Sequence, residues 1–192
     1  MKKQRLIVGL TGSFGSGKST VGKILKRNGC VVIDSDQLAH EVFKPNHPIA
    51  GRIRKLFNVS TVDKKAIAKQ VFQNSEKRKK LEALIHPYVF KRIRSKVKKV
   101  KKGVVVLEIP LLFETGFDKF CDITISVFTP EHKIISRLKQ KGFKSGEVRS
   151  RLASQLSGVE KRKRSDLYIE NLGSEKVLVQ KVKSVLKHLK SK

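Results

Sequence analysis

Apolar residues recur along this chain in two rhythms. Short, nearly unbroken runs alternate with stretches in which apolar positions return every three or four residues. The runs are Leu6-Ile7-Val8-Gly9-Leu10, Cys30-Val31-Val32-Ile33, Val104-Val105-Val106-Leu107, Ile123-Thr124-Ile125-Ser126-Val127 and Leu167-Tyr168-Ile169. Continuous runs bounded by turn residues signal strands buried on both faces, and the wider spacing signals helices with one buried face. Val21, Ile24 and Leu25 predict a helix over about 18–28, stopped by Gly29. Thr129-Pro130-Glu131 opens another, with Pro130 at its first position and Ile134, Ile135 and Leu138 on its apolar face. Residues 145–155 and 159–164 predict two short charged helices, and Leu178, Val182, Val185, Leu186 and Leu189 an amphipathic last helix capped near Ser174. Five strands with helical crossovers predict an α/β fold: a five-stranded parallel sheet flanked by helices.

Between Gln37 and Lys102 the alternation gives way to helical pattern alone. Asp63 and Asn74 are the expected N-caps, and Pro45, Pro48 and Pro87 the breaks, with His86-Pro87 joining two helices. The organisation expected is one domain in three parts. Residues 1–36, 103–136 and 166–192 form the core, 37–102 an inserted helical subdomain, and 137–165 a lid.

Composition narrows the setting. No apolar stretch has the length of a membrane span, and the start Met-Lys-Lys-Gln-Arg leads into only a short apolar run, so neither anchor nor signal peptide is expected and the cytoplasm is the expected location. Cys30 and Cys121 lack metal-ligand spacing and read as buried, reduced thiols. A net charge of +28, from 44 basic and 16 acidic residues, favours anionic partners without choosing among them. Lys91 to Lys102 holds eight basic residues and no acidic one, but Val89, Phe90, Ile93, Val97 and Val100 make the same stretch a packed helix with a solvated face. Without aromatic interleaving or a base-reading motif, nucleic acid is not the expected partner. A monomer or small homo-oligomer is equally compatible with the pattern.

Candidate chemistry begins at residues 12–19, Gly-Ser-Phe-Gly-Ser-Gly-Lys-Ser, a full match to G-x-x-x-x-G-K-[ST] between a strand and a helix. Such a loop turns backbone amides onto phosphate, its lysine reaches the β/γ-phosphates, and its serine offers a hydroxyl to Mg²⁺. Gly12, Gly15, Ser16, Gly17, Lys18, Ser19 and Thr20 are therefore the expected contacts of a nucleoside triphosphate. Asp34 and Asp36 end the second strand, where ligands of open parallel sheets sit. Asp36 is the candidate base toward an alcohol. Asp34 is the candidate indirect Mg²⁺ ligand or orienting group, with a helix cap as its other reading. Glu108 stands where many phosphate-loop enzymes place an acid on Mg²⁺, but it is a methylene longer than aspartate and would have to retract. Glu114 closes the apolar segment Pro110-Leu111-Leu112-Phe113, which a packed loop would also explain. Of the cations around Gly142 and over 161–164, Arg137 and Arg151 are the two expected to meet the transferring phosphoryl group if this segment covers the loop.

Taken in order, residues 10–21, Val32-Ile33-Asp34-Ser35-Asp36 with Ala39-His40, His86-Pro87, and Pro110-Leu111-Leu112-Phe113-Glu114 resemble the dephospho-CoA kinase family. Arg137-Leu138, Arg151, Gln155, Lys161 and Asp166 through Asn171-Leu172-Gly173-Ser174 resemble its lid and closing strand. The resemblance implies a P-loop kinase that uses ATP and Mg²⁺ to phosphorylate the ribose 3′-hydroxyl of dephospho-CoA. It also implies that Asp36 activates that hydroxyl and that His86 and Glu114 face the acceptor. Ser13-Phe14 departs from the family's usual Gly-Ile, Lys141 from a lid arginine, and Ser165 from an alanine. Shikimate-type kinases share the loop and the Asp-x-Asp pair, but their substrate-binding triple glycine is missing.

Overall fold

The computed structural model describes residues 5–44 and 46–190; Pro45, one of the expected breaks, lies outside them. Five strands form one parallel sheet in the order β2-β3-β1-β4-β5. They are β1 (Arg5–Gly12), β2 (Val31–Asp34), β3 (Gly103–Glu108), β4 (Ile123–Phe128) and β5 (Leu167–Glu170). Every strand coincides with one of the apolar runs to within two residues. β1 is central: it pairs with β3 from Arg5↔Gly103 to Leu10↔Glu108, and with β4 from Val8↔Ile123 to Gly12↔Val127. That register sets Glu108 opposite Leu10, two residues before the loop at Gly12 begins. A parallel sheet needs cover on both faces. Val21, Ile24 and Leu25 of α1 (Lys18–Arg27) and Leu178, Val182, Leu186 and Leu189 of α9 (Glu175–Lys190) join Val8, Leu10, Val106 and Ile125 in one core.

The chain divides into two compact units, Asp34–Lys99 and the two segments that flank it. In the sheet-bearing unit, α6 (Glu131–Gln140), α7 (Ser145–Ala153) and α8 (Gly158–Arg164) follow β4. Pro130 occupies the N-cap of α6, one position before the helical residue the sequence pattern gave it. Asp166 ties β5 to β4, its Oδ2 accepting from the amide and the hydroxyl of Thr124, both at 2.7 Å.

Among the described residues the other unit holds four helices joined by turns and loops: α2 (Ser35–Glu41), α3 (Ala50–Phe57), α4 (Lys64–Gln73) and α5 (Ser75–Lys99). As expected, Asn74 caps α5, its Oδ1 accepting from the amide of Lys77 at 3.0 Å. The expected break at His86-Pro87 does not occur, because α5 runs unbroken for 25 residues with Pro87 inside it. An interior proline costs a helix about 3 kcal/mol. Here Leu81, Ile85, Val89, Ile93 and Val97 form a buried stripe that continues across Pro87, and α2, α3 and α4 all pack on this helix. Burying five such side chains at roughly 1.5–3 kcal/mol each outweighs the loss of one hydrogen bond. Pro87 and Ala83, whose carbonyl loses its donor, both lie on the exposed face, where that carbonyl is open to solvent and the lost bond costs less than in the core.

Candidate active site

The loop at 12–17 leaves β1 and enters α1 through two glycines with left-handed backbone, Gly15 at φ 77° and Gly17 at φ 96°. Side chains are excluded there by neighbours as well as by conformation. A Cβ on Gly15 would meet Leu138 Cδ1 at 2.7 Å and Ile134 Cγ2 at 2.9 Å, and one on Gly17 would strike the side-chain Nδ2 of Asn171. The carbonyl of Ser16 accepts from Asn171 Nδ2 at 2.8 Å and from Thr129 Oγ1 at 3.0 Å. Those two residues, far along the chain, therefore fix the loop. Gly17 is the N-cap of α1 and supplies no side-chain cap; the Thr20 amide donates to the Gly17 carbonyl at 3.0 Å, and the amides of Lys18 and Ser19 are left to an anion. Ser16 Oγ is buried with no hydrogen-bond partner. Both features fit a bound phosphate.

Lys18 and Ser19 converge on Glu108. Its Oε1 accepts from Ser19 Oγ at 2.7 Å and lies 3.3 Å from Lys18 Nζ. Room for this longer carboxylate comes from Gly22 of α1, where a Cβ would stand 2.6 Å from Glu108 Oε2. A hydroxyl beside a carboxylate is a hard-oxygen pair suited to Mg²⁺, which takes one or two protein oxygens and completes its shell with phosphate and water. No group of three or more His, Cys, Asp or Glu side chains assembles a metal site among the described residues.

The matching family model, that of dephospho-CoA kinase, spans residues 6–176. A dephospho-CoA kinase of Carboxydothermus hydrogenoformans is 36% identical over 97% of this chain and 95% of its own. The chain belongs to the dephospho-CoA kinase family. A solved structure from Thermus thermophilus superposes with a TM-score of 0.83 at 35% identity, covering 97% of this chain and 99% of that one. The dephospho-CoA kinase of Campylobacter jejuni gives 0.70 at 28% identity over 96% and 97%.

Within that family frame the remaining candidates separate. Asp34 is the N-cap of α2: its Oδ1 accepts from the amides of Asp36 at 2.8 Å and Gln37 at 3.3 Å. The capping alternative thus holds for it, while Oδ2 takes no part in the cap. Asp36 lies exposed in the first turn of α2. His86 is half-buried and stacks on Phe90 with centroids 5.7 Å apart; burial pulls its pKa below the ordinary value, partly opposed by Glu82. Arg137 is half-buried in the last turn of α6. Arg151 pairs with Glu147 at 2.8 Å and lies over the rings of Phe14 and Phe143. Those rings join Ile134, Leu138 and Val148, so the departure at residue 14 brings the loop into the apolar cluster of α6 and α7. Lys141 is exposed at the C-cap of α6.

Glu114 is engaged within the protein, pairing with Lys161 Nζ at 2.8 Å and accepting from the amide of Leu156 at 2.9 Å. Thr129 carries no motif pointing to this role, and Lys161 and Asn171 are marked in the sequence only by resemblance to the family's lid and closing strand. A hydroxyl directly before the α6 proline was the available hint for Thr129. None of the described helices is long and apolar enough to cross a membrane.

Proposed function

We propose that this chain transfers the γ-phosphoryl group of ATP to the ribose 3′-hydroxyl of dephospho-CoA, giving CoA and ADP, the last step of CoA synthesis, in the cytoplasm. The observation that carries this reading is the phosphate loop with Lys18 and Ser19 gathered on Glu108, in a chain that follows its family over nearly its whole length. Gly12, Gly15, Ser16, Gly17, Lys18, Ser19 and Thr20 hold the triphosphate through amides, ammonium and hydroxyls. Lys18 exchanges Glu108 for phosphate oxygens. Ser19 would hold Mg²⁺ directly and Asp34 through water, and the ion would supply positive charge against the developing charge of the triphosphate.

Asp36 accepts the proton of the 3′-hydroxyl as the new O–P bond forms, and the β–γ bridging bond breaks to release ADP. Asp34 and Asp36 also orient the acceptor, with His86 of the helical unit beside it. Arg137 and Arg151 stabilise charge on the transferring group. Glu114, already bonded to Lys161 and Leu156, serves the acceptor side by shaping the loop after β3.

ADP release measured with dephospho-CoA, shikimate, adenosine or no acceptor tests the reading. Turnover is expected with dephospho-CoA alone. Equal turnover with shikimate, or ATP hydrolysis indifferent to acceptor, would refute it.

A further inference from the structure

Among the described residues two charged side chains are buried, Glu108 at 5% exposure and Lys161 at 0%. Glu108 has its task at the phosphate loop, whereas Lys161 stands on α8, in a run of four basic residues that reads as solvated surface. An ammonium loses its hydration on burial, and a methionine of similar length would pack as well or better. A retained buried lysine therefore needs an explanation other than packing.

Its surroundings supply one. Lys161 Nζ donates to the carbonyl of Pro110 and pairs with Glu114 at 2.8 Å. The same Pro110 carbonyl accepts from Thr11 Oγ1 at 3.1 Å, and the neighbouring amide of Ile109 donates to Leu10 O at 2.9 Å. Leu10 and Thr11 are the β1 residues directly before the phosphate loop at Gly12. Glu114 extends the network to the α7–α8 connection through the Leu156 amide. Gly158, one turn before Lys161, stands beside the loop itself, since a Cβ there would lie 3.1 Å from Ser13 Oγ.

We propose that Lys161 is a positioning residue for the phosphate loop: clamped between Glu114 and the Pro110 carbonyl, its ammonium locks the exit of β1 and so fixes where Lys18 and Ser19 meet nucleotide. Burial lowers the Lys161 pKa, Glu114 opposes that shift, and Lys18 adds to it, so the two ammonium groups lie within electrostatic reach of each other. The loop thus sits beside two cations, each held by one carboxylate. Lys18 leaves its carboxylate for phosphate, and Lys161 keeps its own and holds the frame. This inference rests on the kinase reading only in requiring that the loop bind ATP.

The test pairs stability with affinity. Lys161→Met leaves Glu114 with no cation and lowers the melting temperature; Lys161→Met with Glu114→Gln removes both charges and keeps an acceptor for the Leu156 amide. The double variant is expected to melt within about 2 °C of the parent, yet to bind ATP with Mg²⁺, titrated without acceptor, at least about fivefold more weakly. Parent-like affinity in a double variant of parent-like stability would overturn the proposal, because the pair would then only fill space. Should the double variant melt well below the parent, Thr11→Val decides: it removes one donor to Pro110, and an unchanged ATP affinity there would equally overturn the proposal. Failure of the parent to phosphorylate dephospho-CoA would instead sink the acceptor assignment and leave this result standing, since ATP titration needs no acceptor.

Discussion

The guanidinium carbon of Arg151 stands 4.7 Å from the centre of the Phe14 ring. A residue of the phosphate loop thereby holds an arginine of α7, and Glu147 and Phe143 hold it from the other sides. Stacking of this kind contributes about 0.5–1 kcal/mol at partly exposed sites. Phe14→Leu keeps the apolar contact with Ile134 and Leu138 but removes the π face. We expect kcat/KM for ATP to fall roughly threefold to tenfold through lost orientation. Steady-state kinetics with dephospho-CoA in excess would check this, and an unchanged value would show that Arg151 needs no support from the ring.

Lys18→Met should abolish ATP binding and also strand the buried Glu108 carboxylate, lowering the melting temperature. Asp36 is exposed, so Asp36→Asn should leave stability near the parent's while kcat drops by about 10²–10⁴ and ATP affinity holds. Rapid-quench measurement of the chemical step separates these outcomes. Near-parent turnover in Asp36→Asn would assign the base elsewhere.

Gly22→Ala replaces a poor helix former by the best one, a gain of about 1 kcal/mol in an open helix. Here the new methyl would press on Glu108 Oε2, 2.6 Å away. ATP·Mg²⁺ affinity should fall about fivefold as Glu108 shifts from Ser19 and Lys18. Combining it with Glu108→Asp should restore most of the loss. Calorimetric titration of both variants reads the effect, and full affinity in Gly22→Ala alone would refute the coupling.

His86 is held below its ordinary pKa by burial. The unfolded chain therefore takes up this proton first, and stability is present above about pH 6.5 and lost as pH falls toward the lower folded value. Melting curves from pH 7.5 to 5 should show the parent losing more stability than His86→Asn. Parallel curves would remove His86 as the cause.

Cys121 carries a thiol pushed up to about 12 by burial and by the charges of Asp118 and Asp122. Alkylation follows the thiolate. At pH 8 the folded protein should lose this thiol to iodoacetamide far more slowly than the unfolded chain, as read by peptide mass; equal rates would contradict the burial.

The sheet was legible because its strands are buried on both faces and so appear as plain apolar runs. The phosphate loop was legible because glycine spacing and Lys18-Ser19 are local. What escaped depends on distance or competition. Thr129 and Asn171 reach Ser16 from 113 and 155 residues away, and no local pattern ties either of them to the phosphate loop. Lys161 was marked only by resemblance to the family's lid, and nothing local set it apart as buried from 43 other basic residues, since burial is a property of the fold. Asp34 could be read as cap or ligand, and its Oδ1 shows the cap. The break expected at Pro87 failed because a local rule met a longer stripe of buried contacts.

Pro87 leaves a lasting mark on α5. The helix lacks one rung at Ala83, near its midpoint, and α2, α3 and α4 all lean on it. Amide protons on either side should exchange with solvent as separate groups, each sheltered by its own half of the stripe. A hinge so placed would let the helical unit yield as two halves, with Leu81 and Ile85 on one side and Val89, Ile93 and Val97 on the other.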